Sequence, residues 1–344
     1  MPKREATQWP PASRSGPMRL LLEALAFGVV FIVVLGVLLI PYARSQGGVP
    51  ILNATRIKHA YLDEHPPPRV IIVGGSNTLL GFHSPTIERR VGLPVANLGV
   101  HGGLGLDYML REALLSAEEG DIVVLAPEYR RFMMSTRHGR PTAIAQVVER
   151  RPANARFLTP THWKMLGDTG AMEQLGFALR YSRDLASGAR APRARPYNFR
   201  EDLTPNGDLL VHWGKPTRSE WIRPRDPFNL RDEAEVRRAI EHINRYIEAL
   251  RRRGARVVFT YPPIADIHFE PRASEHREFH RLLVSTLDCD VLGGFGENVY
   301  PLEQFFNTAT HLSGEGAVAR SERVGDDLAR WIERNKGSDP RGGS

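Results

Sequence analysis

The stretch Arg69-Val70-Ile71-Ile72-Val73-Gly74-Gly75-Ser76-Asn77 sets the architecture. Val70 to Val73 is a continuous apolar run, bounded by Pro66-Pro67-Pro68 on one side and a Gly-Gly turn on the other. So short a run with no polar alternation reads as a strand buried on both faces. Downstream, Ser84-Pro85 opens and Gly92 closes a short helix. Val95-Ala96-Asn97-Leu98 is a second strand, Leu106 to Ala117 repeats at helical period, and Asp121 to Leu125 is a third strand. After Arg231 the rhythm returns. Val236, Ile240, Ile243, Ile247 and Leu250 recur every three or four residues ahead of Gly254, the signature of an amphipathic helix with a glycine stop. Arg256 to Thr260 is a fourth strand, a helix follows near 273–286, a short strand lies about 290–292, and a last helix runs from Gly314 to Arg334. Alternating helices and short buried strands predict an α/β fold with a mostly parallel sheet covered on both faces.

The segment 130–230 breaks this rhythm. It is rich in Arg, Pro and Gly, with weak helical stretches around 142–150 and 171–182 and a turn at Asn206-Gly207. It reads as a long insertion into the domain of residues 69–335, positioned to cover the strand ends and shape an acceptor site. Residues 336–344 read as a disordered tail.

From Ala24 to Ala43 no residue is charged. Such a run spans about 30 Å as a helix, the thickness of a bilayer's hydrocarbon core. Pro41-Tyr42-Ala43-Arg44 makes a poor cleavage site, so an uncleaved transmembrane anchor over 19–43 is expected rather than a signal peptide. Residues 1–18 then form a short cytoplasmic tail and 44–68 a linker. The C-terminal domain is then expected outside the cytoplasm, periplasmic or extracellular, in a single-pass membrane protein. The net charge of +7 comes from scattered arginines, with no motif for nucleic acid. Cys289 is the only cysteine, which excludes an intrachain disulfide framework, and no spacing indicates a metal site or another cofactor.

In parallel sheets of this kind chemistry gathers beyond the carboxyl ends of the strands. Ser76 stands there, on a glycine turn ahead of a helical stretch, where a nucleophile's hydroxyl and backbone N–H can face the same point. Asn97-Leu98-Gly99-Val100-His101 follows the second strand, and Gly99 leaves backbone N–H accessible to an oxyanion. Asn307-Thr308-Ala309-Thr310-His311 precedes the last helix, where His311 can act as general base if it reaches Ser76.

Strand-Gly-Gly-Ser, then Asn-Leu-Gly, then a loop histidine before the last helix, in that order, resembles the SGNH (GDSL-like) hydrolases. The resemblance covers about 69–130 and 231–335. It implies a three-layer α/β/α, flavodoxin-like fold, with Ser76 as nucleophile, Ser76 and Gly99 as oxyanion donors and His311 as base. Two departures stand out. The family's aspartate three residues before the histidine is Thr308 here, and an acid expected four residues before in related envelope proteins is Asn307, which can orient the imidazole without supplying charge. The family's third-strand asparagine motif is replaced by Ala126-Pro127-Glu128-Tyr129. An ionised Glu128 repels an oxyanion, so it binds substrate, pairs with an arginine or caps structure. Asn77, His101 and Glu128 are the candidate substrate contacts.

The resemblance and the anchor together imply an esterase or O-acyltransferase of an envelope polysaccharide, beside a membrane-bound O-acyltransferase partner. The alternative is a non-catalytic SGNH-like domain that binds a glycan or such a partner.

Overall fold

The computed structural model describes residues 18–30, 33, 54–170, 176, 183, 187, 203–228 and 232–336. The chain divides into two units, one of residues 1–47 and 174–194 and one of 48–173 and 195–344. In the first, residues 18–30 are helical. Among the described residues no helix is long and apolar enough to cross a membrane. Positions 31, 32 and 34–43 of the expected anchor, the expected 171–182 helix save residue 176, and the tail beyond 336 lie outside the described residues.

The second unit is a mixed α/β structure built on a five-stranded parallel sheet. In chain order its strands are β1 (Val70–Gly74), β2 (Val95–Asn97), β3 (Ile122–Ala126), β4 (Arg256–Thr260) and β5 (Asp290–Leu292). Their spatial order is β2-β1-β3-β4-β5. The principal helices are α1 (Ala54–Glu64), α2 (Ser84–Val91), α3 (Gly105–Ser116), α4 (Pro141–Arg150), α5 (Glu233–Arg252), α6 (Ala273–Thr286) and α7 (Gly314–Arg334).

Strand alternation sorts the core into two layers. Val70 and Ile72 face a cluster with Ile87 of α2 and Val324, Leu328 and Trp331 of α7. Ile71 and Val73 face a larger cluster with Met109 of α3, Ile243 and Ile247 of α5 and Phe279 of α6. Both faces are therefore dry, which is why these strands read as unbroken apolar runs. At the amino end of the sheet Arg69, 2 % exposed, forks onto both carboxylate oxygens of Asp121 at 3.1 and 2.7 Å and donates to Leu62 O.

The expected linker 44–68 is corrected over its second half. Residues 54–64 form α1, part of the domain's core, with Tyr61 and Leu62 in the larger cluster. Its buried face also carries Thr55, Lys58 and His59, so apolar periodicity did not reveal it. The Lys58 ammonium is fully buried and donates to the Gly99 carbonyl. Part of the expected insertion docks close by. Leu203 and Leu209 bridge across the Asn206-Gly207 turn, and buried Asp208 accepts from Ser84 N at 2.6 Å and Asn97 Nδ2 at 2.8 Å. Gly207 sits at φ 98°, and a Cβ there would stand 2.5 Å from Asn97 O, so this turn requires glycine.

Candidate active site

Ser76 opens a single helical turn, Ser76–Leu79, directly after β1. Two side chains staple that turn to the end of β3. Asn77 Nδ2 donates to Ala126 O at 3.0 Å and Thr78 Oγ1 donates to the same carbonyl at 3.2 Å. Arg320 of α7 holds it from the other side, donating to Asn77 O at 3.2 Å and to Tyr261 O at 3.0 Å while its guanidinium lies 3.9 Å from the Phe82 ring centroid. Burial depresses this guanidinium to about 10, still charged at neutral pH.

His311 reaches Ser76 from a small antiparallel hairpin of β6 (Phe305–Thr308) and β7 (His311–Leu312). Phe305, Ala309 and Leu312 anchor the hairpin in an apolar cluster with Ala317 of α7. His311 Nε2 lies 2.8 Å from Ser76 Oγ, and His311 Nδ1 lies 2.9 Å from Asn307 Oδ1. The chain Ser76–His311–Asn307 is therefore continuous, with the asparagine oxygen accepting the far imidazole N–H. Thr308, at the position where the resembled family carries its acid, bends backbone instead. Its Oγ1 accepts from His311 N at 3.1 Å. Burial, opposed by Glu128 and assisted by His101, pushes the His311 imidazole down to about 4, so it is a neutral base at physiological pH.

Glu128 occupies the opposite side of the serine. Its Oε1 accepts from Ser76 N at 3.0 Å and lies 3.2 Å from Ser76 Oγ, where it competes with the nearer His311 Nε2 for the hydroxyl's one proton, and its Oε2 accepts from Arg131 Nε at 2.8 Å. Burial alone would raise this carboxyl; Arg131, His311 and the Ser76 donor outweigh it and hold the group below the ordinary carboxylate value. A Cβ on Gly75 would come within 2.1 Å of Glu128 Oε1, so the glycine turn leaves room for this carboxylate. Of the three roles open to Glu128 in the sequence, the structure shows the arginine pair and adds a contact with Ser76 itself. Glu128 and Arg131 stand three residues apart directly after β3, and that spacing was the available signal for the pair.

Two expected site residues lie elsewhere. Gly99 N–H is donated to Asn97 Oδ1 at 2.8 Å, and a Cβ on Gly99 would meet Leu79 N at 2.4 Å. That glycine is needed for close packing against the Ser76 turn, and its N–H is not offered to an oxyanion. The Asn77 side chain is fully buried on Ala126 O and does not face substrate. His101 does line the cavity in front of Ser76, its Nδ1 accepting from Gly103 N at 3.0 Å. That cavity has a volume of about 490 Å³. Arg130, Arg131, Ser135, Thr136, Gly139 and Arg140, with 225–227, form part of its wall, which puts both described ends of the expected insertion at the mouth of the site.

One group of side chains away from the serine brings metal-ligating atoms together. Donor atoms of Asp107, His138 and His162 lie within 4.8 Å of one another. Asp107 is already engaged by Arg137 Nε at 2.9 and 3.1 Å and by His242 Nε2 at 2.5 Å. His242 and Arg137 bring this buried carboxyl down to about 2 against the effect of burial. The guanidinium against the carboxylate opposes a cation there, and the network ties α3 to α5 and the following loop.

No protein-family model matches the chain, and no curated protein matches it.

Proposed function

We propose that the domain is a serine acyl-ester enzyme of the SGNH type, an esterase or O-acyltransferase acting on an envelope glycan. The single observation that carries this reading is the continuous Ser76–His311–Asn307 hydrogen-bond chain at the carboxyl end of β1. The strand order β2-β1-β3-β4-β5 is that of flavodoxin-like sheets and supports the same assignment. His311 Nε2 takes the proton as Ser76 Oγ attacks the acyl carbonyl, and returns it to the departing alkoxide. The acyl group then rests on Ser76. An acceptor hydroxyl, or water, gives its proton to His311 and attacks the acyl carbonyl, and the proton finally returns to Ser76. Ser76 N–H is the nearest donor for the developing oxyanion, and Glu128 must turn away to release it. The uncharged run 24–43 supports a membrane-anchored, single-pass form with this domain outside the cytoplasm, where a membrane-bound O-acyltransferase would supply the acyl group.

The contact between Glu128 and Ser76 N–H favours one second reading, a binding domain that keeps the fold without the chemistry. A labelled fluorophosphonate added to the full chain in detergent separates the two. Labelling of the wild type that is lost in Ser76→Ala supports the enzyme; a wild type that never labels leaves the binding domain.

A further inference from the structure

The cavity holding Ser76 Oγ also gathers Arg130, Arg131, Arg140 and Arg225, with Glu128 and Asp226 as its acids. Arg131 is spent on Glu128 at 2.8 Å, and Asp226 is spent on Arg272 at 3.2 Å. Arg130, Arg140 and Arg225 are exposed and have no carboxylate partner among the described residues. They come from three places in the chain: the turn after β3, the residue before α4, and the segment that follows the short helix Ser219–Ile222. Three guanidiniums with no carboxylate partner among the described residues, around one concave mouth, raise the local concentration of anions and offer planar forks to carboxylate or phosphate.

We infer that this cavity takes a substrate bearing fixed negative charge, an anionic glycan whose carboxylate or phosphate groups lie on Arg130, Arg140 and Arg225 while its acyl-bearing or acceptor hydroxyl lies at Ser76. The inference rests on the acyl-ester reading for the role of Ser76, but the anion subsite itself does not. An acid on the repeating unit would fix the register of the polymer, so that one hydroxyl meets the serine at each binding event. Arg131 is not part of this set, because its charge is already balanced by Glu128.

Binding is tested on full-length Ser76→Ala protein in detergent, which cannot turn substrate over. The probes are polygalacturonate oligomers, glycerol phosphate oligomers and neutral maltooligosaccharides of equal length. The expected result is binding of one or both acidic probes, weakened about tenfold or more by Arg140→Ala/Arg225→Ala and by raised salt, with the neutral probe much weaker. Preference between the two acidic probes distinguishes carboxylate from phosphate. The control Arg237→Ala removes a surface arginine paired with Glu233 at 2.6 Å and should change nothing. Neutral oligomers that bind as tightly, or acidic ones that bind the double variant unchanged while its thermal melt matches the parent, overturn the inference. Fluorophosphonate labelling of the wild type separates the two failures. Labelling without anion binding removes this inference alone, and anion binding without labelling removes the acyl-ester reading alone.

Discussion

Ser76 is held between two groups that ask different things of it. His311 Nε2, at 2.8 Å, is placed to draw its proton, while Glu128 Oε1, at 3.0 Å, holds the backbone N–H that an oxyanion would need. Turning the carboxylate away costs the Arg131 pair and breaks two contacts to Ser76, so under the proposed acyl-ester reading Glu128 is expected to brake acylation. Glu128→Gln keeps the shape, removes the charge and weakens the hold. Its fluorophosphonate labelling rate is expected to rise about tenfold or more, since a well-placed oxyanion donor is worth about a hundredfold in turnover; an unchanged or lower rate contradicts the brake. Asn307 gives a complementary test on the other nitrogen. A neutral amide orients the ring but does not stabilise the imidazolium that forms in the transition state. Asn307→Asp should therefore raise the labelling rate. It should also move the acid limb of the pH profile. In the wild type the neutral base is lost only as pH falls through about 4, where burial sets the imidazole. A carboxylate at 307 favours the protonated ring and shifts that limb upward, toward the ordinary histidine value of about 6.5. A limb that stays in place would mean residue 307 does not act on the ring.

At the scale of elements, the site depends on what clamps the turn and the loop beside it. The loop after β2 is held by Lys58 of α1 on the Gly99 carbonyl, and Asn97 at the end of β2 by Asn206 and Asp208 of the 203–209 turn. Burial, opposed by Glu112 and Asp208, brings the Lys58 ammonium down to about 7. An unfolded lysine keeps its proton to about pH 10.4, so between these values unfolding takes up a proton and stability rises with pH. Full-length protein should therefore gain about 2 kcal/mol more between pH 7 and pH 9 in denaturant titrations than Lys58→Met does; equal increments in the two proteins would place the Lys58 proton elsewhere.

These same elements show what the sequence could and could not tell. β4 at 256–260, α6 at 273–286 and α7 at 314–334 fall where apolar periodicity and strand runs put them, because their partners are the dry faces of the sheet. α1 escaped because half its buried face is polar and satisfied by distant groups. The order Ser76, Asn97-Leu98-Gly99, His311 was legible because each follows a strand or precedes the last helix. The destination of the Gly99 N–H was not, since it depends on which way the Asn97 side chain turns. The choice between Asn307 and Thr308 behind His311 likewise hangs on the bulged register of the β6–β7 hairpin, which pairs Thr308 with His311 and sends the asparagine to the ring.

For the whole molecule, the proposed membrane anchor decides which side of a bilayer the cavity would face. Helical residues 18–30 carry large apolar side chains that are mostly uncovered: Leu20 is 71 % exposed, Leu25 59 %, Phe27 73 % and Val30 60 %. Leu20, Leu21 and Leu22 are consecutive, about 100° apart around a helix, and all three are more than half exposed. Apolar side chains on all sides of a helix suit a lipid surrounding. With the uncharged stretch to Ala43 this is the composition that the proposed single crossing requires; in the proposed topology the short N-terminal tail is cytoplasmic and Ser76 lies on the other side. An acyl group delivered across the membrane and an anionic polymer outside it would then meet at the same cavity. Protease added to spheroplasts expressing the full chain should digest the domain of residues 54–336 and spare a small membrane-embedded N-terminal fragment. Complete protection of the domain until the membrane is dissolved would put Ser76 in the cytoplasm, and an envelope polymer could not be its substrate.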